Sequence, residues 1–230
     1  VELWQLEHGY KYNSDSLLLY DFISRLGVAG NVLDVGCGCG ILGFLLKRDF
    51  PHIRLWSIDV QPINVKIAKY NMQFNHLDAK VVEGDFLKMH WDSKFDVIVS
   101  NPPYYHEGSI KTQDSHRAIS RYSDNLPIKD FFLHVKRNLT PKGRFLFCYD
   151  PKQIGMVLSE LMKCSLTPLN MQYVHPKAEK KASLVLIEAK KSSKGLCNVF
   201  SPMIMNLEDG YTKQAKEIFL KANTVSHVWA

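Results

Sequence analysis

The 230-residue chain contains no apolar run near the ~18–20 residues that a membrane-spanning helix requires, so no membrane partner is expected. No charged and apolar leader is visible at its start. The first residue is Val, and the sequence is expected to lack its initiator Met. Its five cysteines (Cys37, Cys39, Cys148, Cys164 and Cys197) are odd in number and form no Cys-x-x-Cys pair. That argues against a disulfide framework and against a metal ribbon, so no metal is expected and reduced thiols point to a cytoplasmic protein. There is no internal repeat. Charge of one sign is only mildly in excess: +6 net favours an anionic partner such as nucleic acid, but weakly.

What is present is 46% hydrophobic residues, enough for one sizeable core, and the length fits one domain better than two. Strand-like and helix-like segments alternate from residue 31. The predicted order is strand 31–35, helix 41–49, strand 53–58, a helix opened by Pro62 and running to about Phe74, strand 79–83 and strand 95–100. An amphipathic helix follows over 126–139, with Phe131, Phe132, Val135 and Leu139 on one face, then strand 143–148 and helix 154–164. Segments 169–174 and 183–188 are too close for a crossover helix and read as an antiparallel hairpin. The fold class is therefore α/β: an open, mostly parallel sheet with a closing hairpin and helices on both faces. Asp34, Asp59, Asp85 and Asn101 all fall at strand carboxyl ends, the edge at which such sheets bind ligands. Residues 106–125 form the one long stretch without a pattern.

The run from Asp34 through Gly36, Cys37, Gly38 and Gly40 follows a strand and opens a helix. A dinucleotide fingerprint would want its third glycine at position 41, which is Ile41. A pyrophosphate would also disfavour the carboxylate of Asp34, whereas an ammonium group would welcome it. Asp59, with Val60 beside it, ends the second strand, where a carboxylate can accept both hydroxyl hydrogens of a ribose. Asp85 can accept from an adenine amine, and Phe86 can offer a ring face or its N–H. Ammonium, ribose diol and adenine together describe S-adenosylmethionine. These residues resemble the class I S-adenosylmethionine-dependent methyltransferases over about 31–190. The resemblance implies a Rossmann-like seven-stranded sheet whose last two strands form a hairpin.

Asn101-Pro102-Pro103-Tyr104 follows the buried strand 95–100. The Asn101 amide oxygen and the Pro102 carbonyl can accept the two hydrogens of a substrate NH2. The two prolines stiffen the backbone, and Tyr104 can stack on a flat substrate. Such a nitrogen becomes far more acidic as it gains a methyl group, so positioning suffices and no His, Asp or Glu base is required. The motif resembles that of amino-methyltransferases acting on adenine, cytosine or glutamine.

About thirty residues precede the glycine loop, where glutamine methyltransferases of release factors carry a helical domain, and no large recognition domain is expected after residue 190. The chain is similar to the bacterial adenine-N6 methyltransferases of valine tRNA. The matching stretches are Tyr12-Asn-Ser-Asp15-Ser16, the glycine loop, Asn101 through Tyr105, His116-Arg117-Ala-Ile-Ser-Arg121, and Ser201-Pro202 through Asp209-Gly210-Tyr211-Thr212. The resemblance implies one domain: a cap segment over 1–30, a core over 31–190 and an extension over 191–230. It also implies a tRNA partner. Asp15 reads first as a helix N-cap, and by resemblance also closes over the methionine end. Tyr105, Arg117 and Arg121 are expected to contact RNA, as are Lys177, Lys180 and Lys181, which with Lys190, Lys191 and Lys194 are expected to share one edge. An exposed adenine in an anticodon loop suits this arrangement, because an unpaired base is extruded at least cost. A monomer is expected. A glutamine methyltransferase, another rRNA or DNA amino-methyltransferase, and a binding module without turnover remain the alternatives.

Overall fold

The computed structural model describes residues 1–7, 11–102 and 127–229. Strand β1 (Glu2–Leu6) precedes helix α1 (Ser14–Leu26). The cap of α1 is Asn13, not Asp15: the Asn13 side chain accepts from the Asp15 N–H at 3.0 Å. Asn and Asp serve this role equally well, so residue type alone does not separate the two positions.

The apolar runs then alternate as expected. Strand β2 (Asn31–Val35), helix α2 (Ile41–Asp49), β3 (Arg54–Asp59), α3 (Pro62–Phe74), β4 (Ala79–Glu83) and β5 (Phe95–Ser100) follow in turn. Helix α4 (Ile128–Asn138) buries Phe131, Phe132 and Val135. Leu139 was expected on that face, but it opens the next strand, β6 (Leu139–Tyr149), by pairing with Phe95 across a register shift. Helix α5 (Ile154–Lys163) leads into β7 (Leu166–His175) and β8 (Leu184–Lys191).

Strands β4, β3, β2, β5 and β6 lie side by side and parallel. Strand β8 then runs antiparallel between β6 and β7. These seven form the expected sheet and hairpin. Two further strands, β9 (Asn198–Val199) and β10 (Met203–Ile204), each pair parallel with β7 and widen the sheet to nine strands among the described residues. At two residues each, they are too short to leave a periodic signature. Right-handed crossovers put α2 and α3 on one face and α4 on the other. Strand order reverses between β2 and β5, which makes that edge the switch point.

The chain's last segments close onto its first. A small hairpin of β11 (Asn206–Leu207) and β12 (Gly210–Tyr211) leads into helix α6 (Lys213–Ala222) and strand β13 (Val225–Trp229). Strand β13 pairs parallel with β1 from Glu2–Val225 through Leu6–Trp229. On its other side β1 is held by α3, where two asparagine amides stand in for a neighbouring strand. Asn71 accepts from the Trp4 N–H at 2.9 Å and donates to its carbonyl at 3.0 Å, and Asn75 does the same for Glu2 at 2.9 and 2.7 Å. Trp4 fills the seam, stacked on His227 and edge-on to Tyr70 and Phe74.

Candidate functional site: a carboxylate-backed glycine loop facing Asn101

The loop between β2 and α2 takes a left-handed backbone at Gly36, Gly38 and Gly40. At Gly40 (φ 92°) a β-carbon would also stand 2.1 Å from the Phe44 ring, so only glycine fits. Its amides are spent inside the protein. Gly36 and Cys37 N–H donate to the Ile58 carbonyl at 2.9 and 3.0 Å, Gly38 N–H to Asp59 Oδ2 at 2.9 Å, and Gly40 N–H to the Cys37 carbonyl at 2.8 Å. Those four N–H groups are therefore turned away from any phosphate, which distinguishes this loop from a pyrophosphate cradle.

Two carboxylates back the loop. Asp34 is 1% exposed and accepts from the Gly43 N–H at 2.9 Å. A β-carbon on Gly43 would lie 2.9 Å from Asp34 Oδ2, so this glycine admits the carboxylate to the helix N-terminus. Burial pushes the Asp34 carboxyl up to about 7, and the nearby Asp59 charge adds to this while the Gly43 N–H opposes it. Asp59 ends β3, and its Oδ1 accepts from Gln61 N–H at 2.9 Å and Asn64 Nδ2 at 3.1 Å. Val60 beside it is exposed. Burial likewise raises the Cys37 thiol well above its usual range and that of Cys39 to about 12, so both stay protonated.

One pocket is lined by Asp34, Gly36, Cys37, Gly38 and Asn101 together with Ser16. β-Carbons on Gly36 or Gly38 would meet nothing within 4 Å, and so would project into open space. Gln5, Leu6 and Tyr12 add a wall from the N-terminal segment. Asn71 couples that wall to the loop, since it donates to the Cys39 carbonyl at 2.9 Å as well as holding Trp4. Gln5 Oε1 accepts from the Tyr12 N–H at 2.9 Å, and the Tyr12 hydroxyl meets Ser226 Oγ of β13 at 2.8 Å.

Asp85 sits in the turn after β4, where Oδ1 accepts from the Leu87 N–H at 3.0 Å and Oδ2 pairs with Lys88 at 3.3 Å. The Phe86 ring is buried edge-on to Phe131 at 5.7 Å, which commits it to the core. Asp15 lies at the start of α1, where its carboxylate takes a hydrogen bond from Asn13 Nδ2. Asn101 follows β5, with Nδ2 donating to Ser16 Oγ at 3.1 Å and Oδ1 accepting from Cys148 Sγ at 3.0 Å. Pro102 beside it is buried. Pro103, Tyr104, Tyr105, Arg117 and Arg121 lie outside the described residues.

The six lysines do not share one edge. Lys177, Lys180 and Lys181 lie in the β7–β8 connection, at the same carboxyl edge as Asp34 and Asn101, three strand spacings (roughly 14 Å) from β5. Because β8 runs back, Lys190 and Lys191 end at the opposite edge, where Lys190 pairs with Arg144 and the Lys191 ammonium donates to the Leu139 carbonyl at 2.8 Å.

The family model of the methyltransferase small domain matches residues 11–154, more than half of the chain. The chain belongs to the methyltransferase small domain family. Among curated relatives of this family member is the tRNA1(Val) (adenine(37)-N6)-methyltransferase of Vibrio vulnificus, 30% identical over 119 residues, 51% of this chain and 49% of that protein. The ribosomal RNA small subunit methyltransferase C of Haemophilus ducreyi is 39% identical over 89 residues, 39% of this chain and 27% of that protein. The chain spans about half the length of the first curated relatives it matches. In fold it is similar to a predicted O-methyltransferase of Agrobacterium tumefaciens, with a TM-score of 0.71, 14% identity and coverage of 93% of this chain and 99% of that one.

Tyr12 and Ser16, from the matching stretch of the N-terminal segment, line the pocket, whereas Gln5, Asn64, Asn71 and Cys148 support the site without having been assigned to it from the sequence. Only the Asn71–Asn75 pair leaves a trace there: two amides one turn apart near the end of a helix with apolar neighbours.

Proposed function

We propose that the protein is an S-adenosylmethionine-dependent methyltransferase that modifies the exocyclic N6 amine of an adenine in tRNA. The observation that carries this reading is that one pocket joins the carboxylate-backed glycine loop to Asn101. The donor set suits a cationic, non-phosphorylated ligand: Asp34 for the ammonium, open space above Gly36 and Gly38 for the chain, and no spare N–H for phosphate among Gly36, Cys37, Gly38 and Gly40. Asp59, whose carboxylate also fixes the loop, is assigned to the ribose, with Val60 alongside. Asp85 and the Phe86 N–H are assigned to the adenine, since the Phe86 ring is already packed. Asp15 is assigned to the methionine end. When bound, the cofactor supplies a methyl group on a positively charged sulfur.

The chain's own residues then place the acceptor. Asn101 Oδ1 keeps a lone pair beyond its bond to Cys148 and takes one hydrogen of the amine; the Pro102 carbonyl takes the other. Hydrogen bonds to both hydrogens, which stay on the nitrogen, turn its lone pair outward for in-line attack. The nitrogen, made acidic as it gains the methyl group, then releases one proton to solvent, so positioning and hydrogen-bond electrostatics supply the rate. Pro103 and Tyr104 complete this assignment as stiffener and stacking platform. The same-edge lysines Lys177, Lys180 and Lys181, with Tyr105, Arg117 and Arg121, are assigned to the RNA backbone. The anticodon-adjacent adenine of valine tRNA is the favoured target, because relatives bearing that name share the matched region. The domain division is a core over 31–190, with 1–30 and 191–230 joined to each other by β1 and β13, in a monomeric cytoplasmic enzyme.

Incubation with methyl-tritiated cofactor, total tRNA and purified release factors tests this reading. Label is expected in small RNA; label in release factor alone would favour glutamine methylation, and label in neither would overturn the reading.

A further inference from the structure

The Asn101 amide is pinned at both ends by residues far away in the chain. Ser16 Oγ on α1 meets Nδ2 at 3.1 Å, and Cys148 Sγ on β6 meets Oδ1 at 3.0 Å. Ser16 is 4% exposed and Cys148 0%. We propose that Cys148 is the positioning residue that decides which end of the Asn101 amide faces the acceptor, with Ser16 holding the other end in place. This rests on the amine-binding role assigned to Asn101 above.

The two ends of an asparagine amide have nearly the same shape but opposite hydrogen-bonding character. Turned over, the amide would present NH2 to the substrate NH2, two donors facing each other with no bond between them. A serine hydroxyl donates or accepts, so Ser16 fixes the place of the amide without choosing its face. A thiol donates weakly and its sulfur accepts poorly, so the Cys148 contact favours oxygen over nitrogen. Burial holds this thiol well above its usual range, so it keeps its hydrogen. Oδ1 therefore lies against β6, and its second lone pair is left for the substrate amine.

The test compares Cys148→Ala, Cys148→Ser and Asn101→Ala with the wild type, reading turnover on RNA, cofactor affinity and melting temperature. The proposal expects Cys148→Ala to lower kcat about tenfold, with cofactor Kd changed less than about twofold. Cys148→Ser, which restores a donor, should recover kcat to within about twofold of wild type. Cys148→Val keeps the volume and serves as the donor-free variant if the alanine form does not fold. Wild-type kcat in the donor-free variant, or a serine variant as slow as it, overturns the proposal while leaving the assigned function standing. An Asn101→Ala enzyme as fast as wild type, or no transfer to an exocyclic amine by any form, overturns the assigned function and the proposal with it.

Discussion

On the β2–β3 side of the pocket the backbone carries the geometry. Three left-handed glycines set the loop, its amides bond to the Ile58 carbonyl and to Asp59, and Asp34 is held by the Gly43 N–H. On the β5–β6 side, side chains do the same work: the Asn101 amide is placed by Ser16, 85 residues before it, and by Cys148, 47 residues after it. The first side depends on a left-handed backbone that only glycine adopts readily. The second depends on single side chains brought together from distant parts of the chain. Changes on the two sides should therefore separate stability from turnover.

The sharpest separation is Asn101→Ala. Transfer should fall by about 10²–10³-fold while melting temperature and cofactor affinity stay close to wild type, read by single-turnover kinetics beside a cofactor titration. Gly40→Ala should do the reverse. A side chain there meets the Phe44 ring in a left-handed backbone, so roughly 2–3 kcal/mol of stability should be lost along with cofactor binding, measured by urea unfolding. Asn71→Leu breaks the wall rather than the loop. It removes amide bonds to Trp4 and Cys39 at a fully buried position, so roughly 2 kcal/mol of stability should go, and cofactor affinity should weaken severalfold.

Asp34 gives the β2–β3 side a pH signature. Its carboxyl sits near 7 through burial, so below that pH it is largely protonated and must release its proton to pair with an ammonium. Cofactor affinity should rise with pH up to about 7, by at most about tenfold per unit, and fall again above about 8 as the cofactor's own amino group loses its charge. Calorimetry in buffers of different ionisation enthalpy should find proton release near pH ~6 and proton uptake near pH ~9. The smallest effect is expected furthest from the pocket. Lys180→Glu with Lys181→Glu should weaken RNA binding severalfold and flatten its salt dependence, with cofactor affinity unchanged.

The same division explains what the sequence made legible. Asp34 through Gly40, Asp59 and the parallel order of β2 to β5 are local: glycines at fixed spacing and apolar runs of strand length. Asn101 was visible because stiff prolines follow it. Its partners were not, because nothing near Ser16 or Cys148 in the chain marks a residue that meets an amide from another strand. The β1–β13 pairing escaped for the same reason: Glu2 meets Val225, and β1 alternates too briefly to be told from a loop. Treating the lysines as one edge failed on direction, since β8 carries half of them to the opposite end.

The central claim is that this pocket delivers a methyl group to the N6 amine of adenine. Its most direct test is nucleoside mass spectrometry of tRNA from a strain lacking the protein, after reaction with purified enzyme and S-adenosylmethionine. N6-methyladenosine that appears with wild type and is absent with Asn101→Ala is the predicted result. A different methylated nucleoside, or none, would contradict the account.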